Sequence, residues 1–195
     1  MIVLASTSAS RRAMLRAADV PHEALGSFVD EESARAAMAD LSPRDLADAL
    51  AELKAVKVSQ RAPGTLVLGC DSVVALEDGT MLDKPVYRDE AARHLKLLSG
   101  KRHDLFSAAV IAEHGRPVWR HVDRARLWVR PLSGAFIDAY LDAEWPAIAG
   151  CVGCYRMEGR GAQLFARIEG SHFTILGMPL LNILDYLRTR GVLTS

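Results

Sequence analysis

The sequence predicts an α/β protein, because strand-sized apolar runs alternate with capped helical segments along the whole 195-residue chain. With 50% hydrophobic and 25% charged residues the chain can bury a real core, as one domain or as two tightly joined lobes. No internal repeat, low-complexity tract or linker separates two clear domains.

The first strand is Ile2-Val3-Leu4-Ala5, which breaks into Ser6-Thr7-Ser8-Ala9-Ser10-Arg11-Arg12. The hydroxyls can cap a helix that starts near Ser8 and runs to about Ala18. A helix N-terminus carries partial positive charge and favours an anion such as phosphate. Arg11 and Arg12 work against that dipole, which argues for a ligand whose oxygens their planar forks can take in pairs. A capped helix with two solvated arginines accounts for the same residues.

A short extended piece follows at residues 22–25, and Val29-Asp30-Glu31-Glu32 opens a second, short helix. Ser42-Pro43-Arg44-Asp45 is a strong helix start, with Ser at the cap, Pro at the first helical position and an acid in the first turn. That helix is expected to run to about Gln60, burying Leu46, Leu50 and Leu53. Lys54 lies one turn beyond Leu50, at the edge of this face, where its stem can snorkel outward.

Residues 65–70 and 73–76 are apolar runs separated only by Asp71-Ser72. A carboxylate flanked by core strand is costly unless a metal ion, a lysine or several donors compensate it. Glu77-Asp78-Gly79 reads as a hairpin turn, so pairing across it would return Lys84 near the level of Asp71 and Ser72. A functional site and a structural salt bridge both fit.

The remaining elements are a helix from Asp89 to Ser99 closed by Gly100, strands over 103–112 and 118–129 around His114-Gly115-Arg116-Pro117, and a helix capped by Ser133 that stops before Pro146. Gly150, Gly153, Gly159 and Gly161 punctuate a segment carrying Tyr155, Arg156 and Glu158. It reads as irregular backbone brought close to a ligand, or as a plain surface loop. Strand candidates at 163–168 and 172–176 bracket Glu169-Gly170-Ser171, and Met178-Pro179 opens a last helix ending at Gly191.

Composition narrows the function classes. Lys+Arg and Asp+Glu are equal at 24 each and no basic run exceeds two residues, so no surface is marked for nucleic acid, and any nucleotide bound is a small molecule. The longest strongly apolar stretches are strand-sized and Met1 leads directly into the first strand, so a soluble, cytoplasmic protein with no membrane partner is expected. Cys151-Val152-Gly153-Cys154 has the spacing of half a zinc site or a redox pair, but no second pair exists and Cys70 sits in a strand context. Packing by reduced thiols is the expectation. The six histidines are scattered, which gives no local metal cage.

An ordered set of motifs spans nearly the whole chain: Leu4-Ala5-Ser6-Thr7-Ser8-x-x-Arg11-Arg12, Val29-Asp30-Glu31, Lys54-Ala55, Gly69-x-Asp71-x-Val73-Val74, Lys84-Pro85, Ser99-Gly100, Glu158-Gly159-x-Gly161, Ile168-Glu169-Gly170-Ser171 and Gly177-x-Pro179. This set resembles the Maf family of nucleoside triphosphate pyrophosphatases. The resemblance implies an elongated, two-lobed ITPase-like α/β fold, a mixed sheet with flanking helices around a central cleft, forming a single domain over residues 1–195. It also implies a divalent cation, Mg²⁺ or Mn²⁺, hydrolysis of a nucleoside triphosphate to monophosphate and pyrophosphate, and a homodimer.

Carried over by position, the resemblance makes Asp71 the general base and joins it with Glu31 at the metal. It makes Arg11, Arg12, Lys54 and Lys84 neutralise the triphosphate, gives Ser8 a phosphate hydrogen bond, and sets base preference at Ser10, Ser72 and Glu158. The branch acting on thymidine and uridine triphosphates resembles Asp-Thr and Ile-Gln-Gly where this chain has Asp71-Ser72 and Met157-Glu158-Gly159. The chain looks nearer the 7-methyl-GTP branch, which shares the Glu but usually shows Tyr and Gln where this chain has Ser10 and Ser72. Asp83 also departs, replacing the usual Gly before Lys-Pro. An ionised Glu158 accepts only, which suits the N1–H and exocyclic amine of guanine. A pyrophosphatase of thymidine and uridine triphosphates, a nucleotide-binding regulator of cell division with weak or no hydrolysis, a phosphomonoesterase and a nucleotidyltransferase remain as alternatives.

Overall fold

The computed structural model describes residues 1–194. Seven strands form one mixed sheet in the order β2-β1-β3-β5-β6-β7, with β4 paired to β3. The contacts divide the chain into two compact units. The first comprises Met1–Ser72, Phe106–Asp123 and the described residues from Ser171 on, the second Val73–Leu105 and Arg124–Gly170. Strands β3 (Val67–Leu76), β5 (Arg102–Glu113) and β6 (Arg116–Val129) contribute residues to both.

In the first unit, β1 (Ile2–Leu4) pairs in parallel with β2 (His22–Ala24) and with β3. Alternation along the strands sends side chains to two faces. Ile2, Leu4, Leu66, Leu68 and Cys70 pack with Met14 and Leu15 of α1 (Ala9–Ala17) and with Ile183 and Leu187 of α7 (Leu180–Thr189). Val3, Ala5 and Val67 pack with Val58 of α3 (Pro43–Ser59). Ser8 and Ser42 cap α1 and α3 as expected, each accepting from the backbone N–H three residues on.

The buried face of α3 differs from the expectation. Leu53 is 42% exposed, whereas Lys54 is only 4% exposed and joins Leu46, Ala47, Leu50, Ala51, Ala55, Val58 and Ser59 in the buried stripe. The cause is a close helix–strand contact. A Cβ at Gly69 would lie 2.3 Å from the Ala51 carbonyl oxygen and 2.6 Å from the Ala55 nitrogen, so the alanine side of the helix seats on β3. Leu53 is two residues from both alanines, about 200° around the helix, and therefore faces away. Leu46 and Leu50, each worth ~1.5–3 kcal/mol on burial, carry Lys54 inward with them.

Between β2 and α3 lies α2 (Glu31–Ala37), N-capped by Asp30, which buries none of its residues. Near the C-terminus a second expectation fails, since residues 172–175 form a short helix, α6 (His172–Ile175), rather than a strand. The apolar run was too short for its period to decide. Gly170 at φ 120° and Gly177 at φ 111° bracket the segment, and the single helical turn leaves the Thr174 and Gly177 carbonyls aimed at the side chains of Ser107 and Arg11. The β5–β6 turn is also tighter than expected, two residues instead of four. His114 and Gly115 both take positive φ, 51° and 74°, the hand that continues strand twist across a two-residue hairpin.

In the second unit, β4 (Met81–Leu82) returns antiparallel along β3 with Val74 opposite Leu82 and Ala75 opposite Met81. Helix α4 (Arg88–Leu98) ends before Gly100 at φ 69°, and α5 (Gly134–Glu144) is capped by Ser133. β7 (Phe165–Glu169), preceded by a 3-10 turn over Arg160–Leu164, pairs antiparallel with β6. His103 is fully buried here, its Nε2 3.0 Å from the Tyr155 hydroxyl. Cys154 is buried too, with Sγ 3.5 Å from His94 Nδ1, and burial pushes its thiol up to about 12. That environment agrees with packing thiols.

Candidate active site

Asp71 sits within β3, whose ten residues are all buried. Gly69 and Asp71 share the strand face that α3 covers, so the contact that seats Ala51 and Ala55 on Gly69 also brings Lys54 to Asp71. Lys54 Nζ lies 2.6 Å from Asp71 Oδ1 and 2.8 Å from Glu31 Oε1. Arg35 Nη2 donates to the other carboxylate oxygen, Asp71 Oδ2, at 3.1 Å. Two carboxylates and two cations thus balance in a cluster where the Asp71 side chain is 3% exposed and that of Glu31 is 32% exposed. The compensation that the sequence demanded for Asp71 is a lysine, but it is Lys54 of α3 and an arginine of α2.

The opposite strand face carries a second polar centre. Arg11 donates through Nε to the Gly177 carbonyl at 2.8 Å and through Nη2 to Ser72 Oγ at 3.2 Å, while its Nη1 lies 3.5 Å from Ser6 Oγ. All three acceptors are neutral oxygens, so the guanidinium is oriented without its charge being spent. Ser107 Oγ donates its single hydrogen to the Thr174 carbonyl at 2.7 Å, which makes Ser72 the donor in the 2.9 Å contact between the two hydroxyls. Ser72 is therefore left as an acceptor only. Gly177 admits Arg11, since a Cβ there would lie 3.3 Å from Arg11 Nε. Ser8 caps α1, and its own N–H donates to Ser6 Oγ at 3.2 Å. Arg12 is exposed on the same helix and Ser10 is half-buried.

The first unit therefore brings Glu31, Lys54 and Asp71 into one cluster, and Ser8, Arg11 and Ser72 into another. Lys84 and Glu158 belong to the second unit. Lys84 is exposed in the loop between β4 and α4, two residues past the last β3–β4 pair at Leu82. Glu158 is exposed in the loop before the 3-10 turn. That loop is braced by Arg156, which donates to the buried Glu144 at 2.9 Å, and by Gly161, where a Cβ would lie 2.4 Å from the Arg156 carbonyl oxygen.

Sequence reasoning missed Arg35 and Ser107, and it quoted Ser6 and Gly177 in motifs without foreseeing that they hold Arg11. For Arg35 a signal existed: it lies four residues after Glu31, the spacing that puts two side chains on one helix face. Ser107 announced itself only as a hydroxyl inside an apolar strand. Among the described residues no group of three or more His, Cys, Asp or Glu side chains converges as a metal site. Glu31 and Asp71 form a set of two hard oxygen donors, which fits a Mg²⁺-like ion that fills its remaining positions with water and substrate phosphates.

Fold and centres together define an α/β protein with a buried carboxylate held by cations and an arginine presented on neutral oxygens. A family model described as Maf-like protein matches residues 1–190. The chain is 52% identical over 193 residues, 98% of each chain, to a protein of Sphingopyxis alaskensis named nucleoside triphosphate pyrophosphatase. It is 50% identical over 193 residues, 98% of this chain and 97% of the relative, to nucleoside triphosphate pyrophosphatase 1 of Jannaschia sp.. It is 46% identical over 194 residues, 98% and 97% of the two chains, to a Mesorhizobium japonicum protein named 7-methyl-GTP pyrophosphatase. The chain belongs to the Maf family.

Proposed function

We propose that this chain is a nucleoside triphosphate pyrophosphatase, a hydrolase that cleaves a guanine-type or modified purine triphosphate, such as 7-methyl-GTP, to its monophosphate and pyrophosphate. The observation that carries the reading is the Asp71 cluster in a Maf-family chain: a carboxylate within a buried strand, in contact with Lys54 and Arg35 and linked through Lys54 to Glu31. In-line attack of water on a phosphoryl group depends on positioning and on neutralising charge. Asp71 orients the attacking water and accepts its proton. Lys54, held against Asp71 by the packing of α3, keeps that carboxylate in place and offers positive charge to the phosphates, and Lys84 adds to it. Glu31 and Asp71 would hold the divalent ion, which polarises phosphoryl oxygens when bound.

Arg11, Arg12 and Ser8 bind the triphosphate in this reading. The orientation of Arg11 by Gly177, Ser72 and Ser6 supports its part. Ser10, Ser72 and Glu158 set base preference. Glu158 accepts when ionised, which favours a base edge that donates, as guanine does. The 7-methyl-GTP pyrophosphatase name of the Mesorhizobium relative supports the same branch. The whole chain acts as one Maf-like domain, as a homodimer in the cytoplasm. No helix among the described residues is long and apolar enough to cross a membrane.

The test is a panel of GTP, 7-methyl-GTP, dTTP, UTP, ATP and CTP with Mg²⁺ or Mn²⁺, reading pyrophosphate and orthophosphate separately. Pyrophosphate release, fastest with the guanine substrates, is expected. Orthophosphate would make the chain a phosphomonoesterase, and tight binding without turnover would favour a nucleotide-binding regulator of cell division.

A further inference from the structure

Arg35 is a charged contact of Asp71 to which the reaction above gives no role. Its side chain is 16% exposed and its Nη2 lies 3.1 Å from Asp71 Oδ2, while Lys54 takes Oδ1 at 2.6 Å. Each Asp71 oxygen is thus engaged by a cation. A Mg²⁺-like ion needs an oxygen lone pair at ~2.0–2.1 Å and is repelled by a positive charge on the same oxygen. Each carboxylate oxygen keeps a second lone pair, but an ion there sits beside a positive charge, and withdrawal of one of the two residues relieves that repulsion. Lys54 is the fixed one: it is buried in α3 and held by the packing at Gly69. Arg35 rides on α2, which buries no residue, and its contact with Asp71 is longer than that of Lys54. Its guanidinium also suits a second partner, because its planar fork matches phosphate oxygens.

We propose that Arg35 is an exchange residue: in the nucleotide-free protein it neutralises Asp71, and on substrate binding it transfers to the triphosphate while the divalent ion takes its place at Asp71. This rests on the reading of the site as a nucleoside triphosphate pyrophosphatase. The site is then never left with an uncompensated buried charge, in either state. Glu31 and Arg35 lie four residues apart on α2, so the ion ligand and the phosphate ligand of this proposal are carried by a single short helix.

Two binding measurements that need no turnover test the proposal: Mn²⁺ alone, by the electron paramagnetic resonance of the free ion, and inorganic tripolyphosphate with Mg²⁺, by calorimetry. Arg35→Met keeps the stem and removes the charge. It is expected to bind Mn²⁺ about fivefold more tightly than wild type and tripolyphosphate about tenfold more weakly. Arg35→Lys, which keeps the charge without the fork, should bind Mn²⁺ as wild type does and tripolyphosphate with an intermediate loss. Unchanged or weakened Mn²⁺ binding in Arg35→Met overturns the exchange, and weakening of both ligands means that Arg35 only braces Asp71. Should Arg35→Met fail to fold, wild-type affinity of Arg35→Lys for tripolyphosphate would overturn it. Absence of pyrophosphate release by wild type would defeat the parent reading and leave the Mn²⁺ arm standing.

Discussion

Replacing Asp71 with Asn tests the proposed chemistry most directly, since it keeps the shape of the side chain and removes its charge. Removing one member of a buried ion pair costs ~3–5 kcal/mol, chiefly through the charge left behind. Here the orphaned Lys54 keeps Glu31 at 2.8 Å, and the Arg35 side chain is 16% exposed, so the loss should fall near ~3 kcal/mol or below. For a chain of this size that is a fall in Tm of roughly 6–12 °C, with a cooperative transition retained. Catalysis should suffer far more. An amide is a poor proton acceptor and a weak ligand for a hard divalent ion, and a general base alone is worth ~10²–10⁴-fold. Pyrophosphate release at saturating Mg²⁺ and nucleotide gives kcat, and thermal unfolding followed by circular dichroism gives Tm. A kcat within about threefold of wild type in folded Asp71→Asn protein would refute the mechanism. A failure to fold would make the cluster chiefly structural.

The other predictions probe the second polar centre, base choice and pH. Arg11→Ala should raise KM about tenfold for every nucleotide alike, because phosphate contacts position without reading the base; a change of base preference at constant overall rate would count against the proposed phosphate role. Glu158→Gln should lower kcat/KM for GTP and 7-methyl-GTP about fivefold while sparing dTTP and UTP. The expected loss lies at the low end of the range for mismatched polar contacts because Glu158 is exposed, and equal losses for all four would remove it as a base reader. Burial holds the His103 imidazole down at about 4, below the ~6.5 of an unfolded chain. The unfolded state therefore binds the extra proton first: this contribution to stability is complete above pH ~6.5 and is lost as pH falls toward 4, on the order of 3 kcal/mol in all. Denaturant melts across that window should slope less in His103→Phe, and an unchanged slope would show that other groups govern acid unfolding.

What could be read from the chain was whatever depends on neighbours in sequence. Ser8, Ser42 and Ser133 cap the helices that they open because a cap is a contact across three residues. The isolation of Asp71 between apolar runs demanded a compensating cation for a reason independent of fold. Arg11 stood out as positive charge set against a helix dipole, and likeness to family motifs brought Lys54 and Glu31 forward as site residues. Tertiary packing decided the rest. Which side of α3 faces the sheet hung on the fit of Gly69 against Ala51 and Ala55, a long-range steric contact that turned Leu53 outward and Lys54 inward against hydrophobic order. Arg35 became a partner of Asp71 across 36 residues of sequence, through the placement of a helix that buries nothing. Residues 172–175 became a helix because two glycines with positive φ and the carbonyl partners of Ser107 and Arg11 outweighed a β-like composition. Local hydrogen bonds and desolvation costs act over a few residues and so leave a mark in sequence, whereas helix rotation and side-chain convergence are set by packing between segments far apart in the chain.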